Sequence, residues 1–417
     1  MYRKTVLNNG VRIITESLPH VYSVSLGIWV ESGSREEDAA RNGITHFIEH
    51  MLFKGTETRS ALEIAREVES VGGVINAYTS KEYTFFYTKV LKENQRLASE
   101  ILCDIFHNSL FHEGEVEKEK EVVCQEILMI EDNPEDHIHD LLSVSFWPDN
   151  PLGFPVQGKQ KTVRSLSGQT LREYFDNIFK KQGIIVIAVG NLDHDEVVSF
   201  FTPHFDSPLL AKRAEEKTKP RKSRGIFVQK RGIEQVHVCI GMPGPGKKDV
   251  HRYPAFVMNS ILGSGMSSRL FQEVREKRGL VYSIYSSVST FADSGMLKIY
   301  AGTTPDKVGD LMKVIGDVLS DMNKDSLSDE ELGKGKEQIK GSLLINFDST
   351  DFRLTRLASN EMYFGTYISP EEVAKQIDGV TKDDVFDFAD HALAKDSTVV
   401  TAIGNISEKD LELGGLI

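Results

Sequence analysis

Residues 46–53 read His-Phe-Ile-Glu-His-Met-Leu-Phe, and residues 255–262 read Ala-Phe-Val-Met-Asn-Ser-Ile-Leu. The two stretches lie 255 − 46 = 209 positions apart, close to half of the 417-residue chain. At the same offset, the Arg-Glu pair at 66–67 aligns with the Arg-Glu pair at 275–276. Apolar positions match while polar ones differ, as expected of a duplicated structural frame. The sequence therefore predicts one module present twice.

The predicted secondary structure follows the same order in both halves. In the first half we predict strands at 24–30, 74–79, 83–90 and 183–189 and helices at 42–53, 94–109, 113–131 and 135–147, with another helix from the capping box of Ser60 and Glu63. In the second half we predict strands at 236–242, 281–287 and 295–301, and helices at 253–262, at 267–278, from Pro305 and from Ser328. This pattern favours an α+β fold of two homologous domains in tandem, each a mostly antiparallel sheet covered by helices.

A basic segment separates the halves. Residues 211–224 carry seven Lys or Arg, one proline and few apolar side chains, which predicts an exposed linker between domains at 1–210 and 225–417. A nucleic-acid-binding segment is the alternative. The chain as a whole has 62 acidic against 49 basic residues and a net charge of −13, which argues against nucleic acid or anionic membranes as partners.

Cysteine usage and hydropathy indicate the compartment. The three cysteines, Cys103, Cys124 and Cys239, are widely spaced and odd in number, which favours a reducing environment over a disulfide framework. The sequence contains no apolar run of about 18 residues, the length that a membrane span requires. A strand, turn and strand are predicted within residues 5–14, so the fold is expected to begin at once. We therefore expect a cytoplasmic protein.

The motif at 46–50 predicts a metal site. Two histidines four apart on a helix project from the same face, so His46 and His50 can ligate one metal ion. Glu49 lies where a carboxylate can reach a water in the metal's open position without being a ligand itself. This His-x-x-Glu-His arrangement is the inverse of the commoner zinc motif. An accidental pair of surface histidines is the alternative.

A third ligand must come from elsewhere, because catalytic zinc usually takes three protein ligands. The acidic helix predicted at 113–131 is the obvious source. Its Glu119 and Glu126 are seven apart and stack along one stripe, so that one can ligate while the other holds the site together. A solvated acidic face is the alternative for this helix.

These residues carry a family resemblance. The motif at 46–50, followed 126 − 50 = 76 positions later by Glu126 with Glu119 seven before it, resembles the pitrilysin and insulinase family of inverted-motif metallopeptidases over essentially the whole chain. Residues 30–35, 72–80 and 121–127 look most like the catalytic subunit of mitochondrial processing peptidase and its short bacterial relatives. The resemblance implies one zinc ion per chain, with Glu126 as the third ligand and Glu119 as a supporting residue. It also implies that Glu49 is the catalytic base.

The second copy of the module has lost the whole constellation. When the two copies are aligned, His46, Glu49, His50, Glu119 and Glu126 correspond to Ala255, Met258, Asn259, Gly335 and Ser342. A merely structural set of polar residues is not expected to vanish as a group while its apolar frame persists. We therefore place the zinc site in the N-terminal domain alone.

Arg275 and Tyr282 are the candidate functional residues of the second copy. From the sequence alone they read as a helix-end arginine and a core tyrosine. The resemblance implies instead that they contact bound peptide and help to stabilise the tetrahedral intermediate, a task that long family members assign to the half without zinc. Since this chain holds only one double module, we expect a homodimer. Two chains would form a clamshell chamber, each supplying Arg275 and Tyr282 to the zinc of the other.

The expected substrate is an extended peptide or an unfolded protein segment. It would add a strand to an exposed edge near Ile75, Asn76 and Ala77. Asp136 and Asp140 resemble two acidic residues that hold an arginine near the cleavage site in processing peptidases, so cleavage near basic residues is expected; a solvated helix start is the alternative. The predicted function is that of a zinc metalloendopeptidase. A non-catalytic assembly subunit of the same family is the alternative.

Overall fold

A computed structural model describes residues 1–210, 218–221, 223–322, 327–394 and 397–411. Most of the predicted linker, residues 211–217 and 222, lies outside the described residues. Within the described ranges, no helix has both the length and the apolar character needed to cross a membrane.

The first sheet is built from the N-terminal half of the chain. Its strands are β1 (Tyr2–Val6), β2 (Arg12–Ser17), β3 (Ser23–Val30), β4 (Val74–Thr79), β5 (Thr84–Leu91) and β6 (Ile184–Gly190), in the order β1-β2-β6-β3-β5-β4. β2 and β6 run parallel, and the other neighbours are antiparallel. The helices of this half are α1 (Ile44–Leu52), α2 (Ala61–Glu69), α3 (Gln95–Asn108), α4 (Glu113–Asp132), α5 (Pro134–Phe146), α6 (Gln160–Ser165), α7 (Gly168–Asn177) and α8 (His194–Phe205).

The second sheet repeats this topology. Its strands are β7 (Gly225–Lys230), β8 (Val236–Gly244), β9 (Ser283–Thr290), β10 (Gly295–Thr303) and β11 (Val399–Gly404), in the order β7-β11-β8-β10-β9. The helices are α9 (Arg252–Gly263), α10 (Val308–Ser320), α11 (Asp329–Asn346), α12 (Thr350–Phe364), α13 (Pro370–Gly379) and α14 (Lys382–Ala392). Strand for strand, β7-β11-β8-β10-β9 corresponds to β2-β6-β3-β5-β4, including the parallel pair. The predicted α+β fold with a duplicated module is confirmed.

The two compact units are not the two continuous halves. The first unit contains Met1–Met129, Phe154–Lys217 and Asn346–Tyr367, and the second contains Ile130–Gly153, Thr218–Ile345 and Ile368–Ile417. Helix α5 therefore packs on β8 and β11 of the second sheet, while α12 packs on β3 and β6 of the first. The predicted boundaries at 1–210 and 225–417 differ from these units because each sheet has a second apolar face that a helix from the other half covers.

One predicted helix takes an unusual form. Residues 267–278 were expected to form a regular helix, but the structure has a π-helical segment at Phe271–Glu276. Arg275 lies in this segment. Extra residues in a helical turn re-aim the side chains around them, and such turns occur frequently at functional sites.

Candidate metal centre

Helix α1 presents the motif on its polar side. Phe47, Ile48 and Met51 are buried in the core of the first unit, which turns the side chains of His46 and His50 to the opposite side. These two histidines are only partly buried, with 17% and 15% of their side chains exposed. A 3.6-residue period with apolar residues at 47, 48 and 51 thus fixes where the histidines point.

The start of α1 is held by a buried carboxylate. Gly43 precedes the helix with a φ of 96°, which favours glycine, and it offers no side-chain cap. Glu37 replaces the missing cap, because its carboxylate accepts hydrogen bonds from the backbone N–H of Gly43 at 2.8 Å and of Thr45 at 2.9 Å. Burial raises the pKa of Glu37 to about 7. These bonds fix the first turn of the helix that carries His46.

Three ligand atoms converge beside α1. Oε2 of Glu126 lies 3.9 Å from Nε2 of His46 and 3.4 Å from Nε2 of His50, and all three atoms lie within 4.8 Å of one another. Tetrahedral zinc with bonds near 2.0–2.1 Å needs ligand atoms about 3.3 Å apart, so small movements would close the set around an ion. Among the described residues, this is the group of three or more His, Cys, Asp or Glu that can hold a metal. The donor set therefore fits zinc.

The protonation of the two histidines suits ligation. Burial, with a smaller contribution from the nearby His50, lowers the pKa of His46 to about 3, so the ring is neutral and one of its two nitrogens has a lone pair for a metal. Burial acts to lower the pKa of His50, but the hydrogen bond to Glu119 and the charge of Glu126 raise it overall. The same carboxylates attract a dication, and metal binding would displace the proton from Nε2 of His50.

Glu119 holds His50 from the second ring nitrogen. Nδ1 of His50 lies 2.9 Å from Oε1 of Glu119, and the other carboxylate oxygen lies 2.6 Å from Nζ of Lys54. Burial acts to raise the pKa of Glu119, but its bonds to His50 and Lys54 bring it below the usual value. A carboxylate at Nδ1 assigns the proton to that nitrogen and leaves Nε2 for a metal. A supporting role for Glu119, as the resemblance implies, requires this kind of contact with a ligand histidine.

Sequence reasoning did not find Lys54 or Thr79. Lys54 follows His50 by four residues, the same spacing that separates His46 from His50. This spacing could have indicated that Lys54 lies on the same side of the chain as the two histidines. Thr79 donates a hydrogen bond from Oγ1 to Oε2 of Glu49 at 2.5 Å. Burial raises the pKa of Glu49. No local pattern indicates the Thr79 contact, because it depends on where β4 lies relative to α1.

The predicted substrate strand lies at the edge of the first sheet. Ile75, Asn76 and Ala77 belong to β4, which pairs with β5 on one side and is the last strand of the sheet order. Asn76 is exposed, and its Oδ1 accepts a hydrogen bond from the backbone N–H of Ala77 at 2.8 Å. Helix α1 packs against this strand. The structure therefore brings the predicted peptide-binding edge next to the helix with the metal motif.

The other predicted residues belong to the second unit. The guanidinium carbon of Arg275 lies 5.3 Å from the ring centroid of Tyr282, and the Tyr282 side chain is 81% exposed. Tyr282 is thus not the core residue that its sequence alone suggested. Asp136 and Asp140 lie on α5, where Oδ2 of Asp136 accepts a hydrogen bond from Nδ2 of Asn133 at 2.6 Å.

In the second unit, helices α9 and α11 touch directly at the counterpart of the metal centre. Gly335 occupies the position in α11 that corresponds to Glu119 in α4. Any residue with a side chain there would have its Cβ atom only 3.0 Å from Cγ1 of Ile261. The carbonyl oxygen of Gly335 accepts a hydrogen bond from Oγ of Ser260 at 3.2 Å. Asn259, which corresponds to His50 in the repeat, accepts a hydrogen bond with its Oδ1 atom from Oγ of Ser286 at 2.8 Å. A direct helix contact has replaced the ligand set.

Fold and site together define a class: two-domain α+β proteins whose first domain carries the inverted His-x-x-Glu-His metallopeptidase motif. Residues 12–160 match the insulinase family, peptidase family M16, and residues 165–339 match the peptidase M16 inactive domain. The chain belongs to the M16 peptidase family. The match to an inactive domain includes Ala255, Met258, Asn259 and Gly335, four of the five positions of the second copy that correspond to the metal centre.

Similar proteins agree with this membership, and two solved structures share the fold. The chain is 40% identical to an uncharacterized zinc protease of Streptomyces coelicolor, over 98% of this chain and 90% of the relative. It is 39% identical to the uncharacterized zinc protease YmxG of Bacillus subtilis, over 95% and 97% of the two chains. A peptidase M16 inactive domain from Pseudomonas fluorescens has the same fold, with a TM-score of 0.88 at 18% identity over 97% of this chain and 98% of that chain. A protease from Helicobacter pylori gives a TM-score of 0.87 at 20% identity over 97% and 99%.

Proposed function

We propose that this chain is a zinc metalloendopeptidase. The observation that carries the proposal is the convergence of His46, His50 and Glu126 within 4.8 Å, in a family whose similar members are named zinc proteases. When bound, zinc would supply a Lewis acid that lowers the pKa of water and polarises the scissile carbonyl. Glu126 is the most exposed of the three ligands, with 38% of its side chain accessible, which leaves an open side for substrate.

The chain's own residues then move the protons. Glu49 accepts a proton from the attacking water and delivers it to the leaving amine. Burial raises the pKa of Glu49, which makes its carboxylate a stronger base toward the proton of the attacking water. His50 is kept in its ligand orientation by Glu119, which is itself bonded to Lys54.

The edge of β4 is the proposed binding place for the peptide backbone. A strand added there bonds to main-chain groups near Ile75, Asn76 and Ala77, which gives affinity with little demand on side chains. Only an extended segment can pair in this way. Unfolded proteins and flexible peptides are therefore the proposed substrates, and folded proteins are expected to be cleaved poorly.

A second copy of the chain is the proposed partner. Tyr282 is 81% exposed with Arg275 stacked on its ring, and such a pair suits contact with a molecule outside its own unit. In the proposed homodimer, each chain supplies Arg275 and Tyr282 to the peptide bound at the other chain's zinc, within a closed chamber.

The proposal is tested by metal analysis together with digestion of a peptide library. We expect one zinc ion per chain, cleavage of unstructured peptides, loss of cleavage in a strong chelator, and recovery when zinc is added back. Zinc binding without any cleavage would support the non-catalytic assembly subunit instead. Cleavage that survives complete metal removal would refute the zinc mechanism.

Specificity for basic residues gives a separate prediction. Two carboxylates around a guanidinium form charge-assisted bonds of about 1.5–3 kcal/mol each, enough for a roughly ten- to hundredfold preference. We expect cleavage to favour Arg or Lys one or two residues before the scissile bond, and Asp136→Asn/Asp140→Asn to lose that preference selectively. The matched control is Asp132→Asn/Glu135→Gln, which removes two exposed charges next to the pair. Cleavage-site profiling by mass spectrometry is the measurement, and an unchanged profile in the first double variant would return both residues to the solvated-helix interpretation.

A further inference from the structure

Thr79 connects the edge strand to the proposed catalytic base. It is the last residue of β4, and its hydroxyl donates a hydrogen bond to Glu49 at 2.5 Å. Because side chains alternate along a strand, Ile75, Ala77 and Thr79 lie on one face of β4, and the first two pack against the core that contains α1. The hydroxyl thus joins the strand proposed to receive the peptide to the carboxylate proposed to act on it.

The turn that follows Thr79 is firmly anchored. Arg35 and Glu82 form an ion pair at 2.6 Å with only 2% and 1% of their side chains exposed. Tyr363 donates a hydrogen bond to the other oxygen of Glu82 at 2.7 Å. Backbone bonds from Ser34 to Ser80 and from Arg35 to Lys81, at 3.1 and 2.7 Å, tie the same turn to the segment after β3. A buried pair with satisfied partners is costly to move, so the end of β4 is a rigid support.

A carboxylate on a side chain with three rotatable bonds does not point in one direction unaided. A hydrogen bond to one oxygen restricts the orientation of the group and leaves acceptor capacity for a water molecule. Precise placement of a proton acceptor matters because displacement of about 1 Å can cost a hundredfold in rate. Thr79 provides such a restraint from a rigid element.

We propose that Thr79 is a positioning residue for the peptidase reaction, holding Glu49 through its hydroxyl and registering it against the substrate strand. This inference rests on the proposed function. The competing view is that Thr79 is a β-branched residue that suits the end of a strand and contributes only its shape. The two views differ in what the hydroxyl does, so they are separated by variants that keep either the shape or the hydroxyl.

Thr79→Val keeps the branched shape and removes the hydroxyl, while Thr79→Ser keeps the hydroxyl and removes the methyl group. We expect Thr79→Val to lower kcat for an unstructured peptide about ten- to hundredfold, the range for loss of a hydrogen bond to a charged group. KM and zinc affinity should stay within about twofold of wild type, since neither backbone pairing nor the ligand set involves the hydroxyl. Thr79→Ser should retain kcat within about threefold of wild type.

Thr88→Val on the neighbouring strand β5 is the matched control, because the Thr88 hydroxyl is buried and makes no hydrogen bond within the described part of the chain. It should leave kcat unchanged. Steady-state kinetics, zinc competition and thermal melting are measured on all variants in the full-length zinc-loaded protein. Wild-type kcat in Thr79→Val, equal losses in Thr79→Val and Thr79→Ser, or loss of zinc in Thr79→Val would each overturn the positioning role. A wild-type protein that cleaves no peptide would overturn the proposed function and this role with it, whereas the other outcomes leave the proposed function standing.

Discussion

Replacing Glu49 with glutamine is expected to lower kcat/KM for peptide cleavage by about a thousandfold or more while zinc stays bound at one ion per chain. General acid–base catalysis contributes about 10²–10⁴-fold, and the amide of glutamine cannot accept the proton. Glutamine has the size of glutamate, and its amide oxygen can still accept the hydrogen bond that Thr79 donates to Oε2 of Glu49. Folding and metal binding should therefore be preserved.

The matched control is His50→Ala, which removes a ligand atom. It should lose zinc and activity together, whereas Glu49→Gln should lose activity alone. Metal content by atomic spectroscopy, thermal melting and peptide kinetics on both variants separate the two roles. If Glu49→Gln loses as much zinc as His50→Ala, Glu49 is a ligand or a structural residue and the assignment of the base is wrong.

Helical periodicity is the reason that much of this centre is predictable from the sequence. His46 and His50 are one turn apart, and Glu119 and Glu126 are two turns apart, so each pair shares a face whatever the rest of the fold does. Periodicity does not say which glutamate ligates, and the sequence left that to the family resemblance. In the structure, Oε2 of Glu126 lies near both Nε2 atoms, while Oε1 of Glu119 lies near Nδ1 of His50, which supports Glu126 as the proposed ligand.

Contacts between distant elements were the part that the sequence did not predict. The bond from Thr79 to Glu49 joins β4 to α1, and no spacing along the chain encodes it. The placement of α5 and α12 is a similar case. A helix was predicted at 135–147 within the first half and none at the position of α12. Because each sheet offers an apolar face, nothing in the repeat indicated that α5 covers the second sheet and α12 the first. The π-helical segment around Arg275 likewise departs from the helix predicted at 267–278.

Mixing two inactive variants is expected to restore peptidase activity if the active site is shared between two copies of the chain. Glu49→Gln keeps Arg275 and Tyr282 but lacks the base, and Tyr282→Phe keeps the base but lacks the hydroxyl proposed to stabilise the tetrahedral intermediate. In a hybrid dimer, the site with Glu49 from one chain and Tyr282 from the other is complete. Random pairing of equal amounts makes half of the dimers hybrids with one complete site of two, so activity should approach about a quarter of wild type.

The control for this experiment is the double variant Glu49→Gln/Tyr282→Phe, mixed with the wild-type chain. A hybrid of these two has Glu49 in one chain and Tyr282 in that same chain, so under the shared-site arrangement neither of its sites is complete. Without subunit exchange, the mixture should have half the activity of the same total amount of wild-type protein. After complete exchange, only the quarter of dimers made of two wild-type chains should be active, so the activity should fall to about a quarter. Subunit exchange is verified by co-purification of two differently tagged copies before kinetics are measured. If exchange is complete and the first mixture stays inactive, Tyr282 does not act on the partner's zinc. The exposed Tyr282, 81% accessible with Arg275 against its ring, then needs another explanation than catalysis across a dimer.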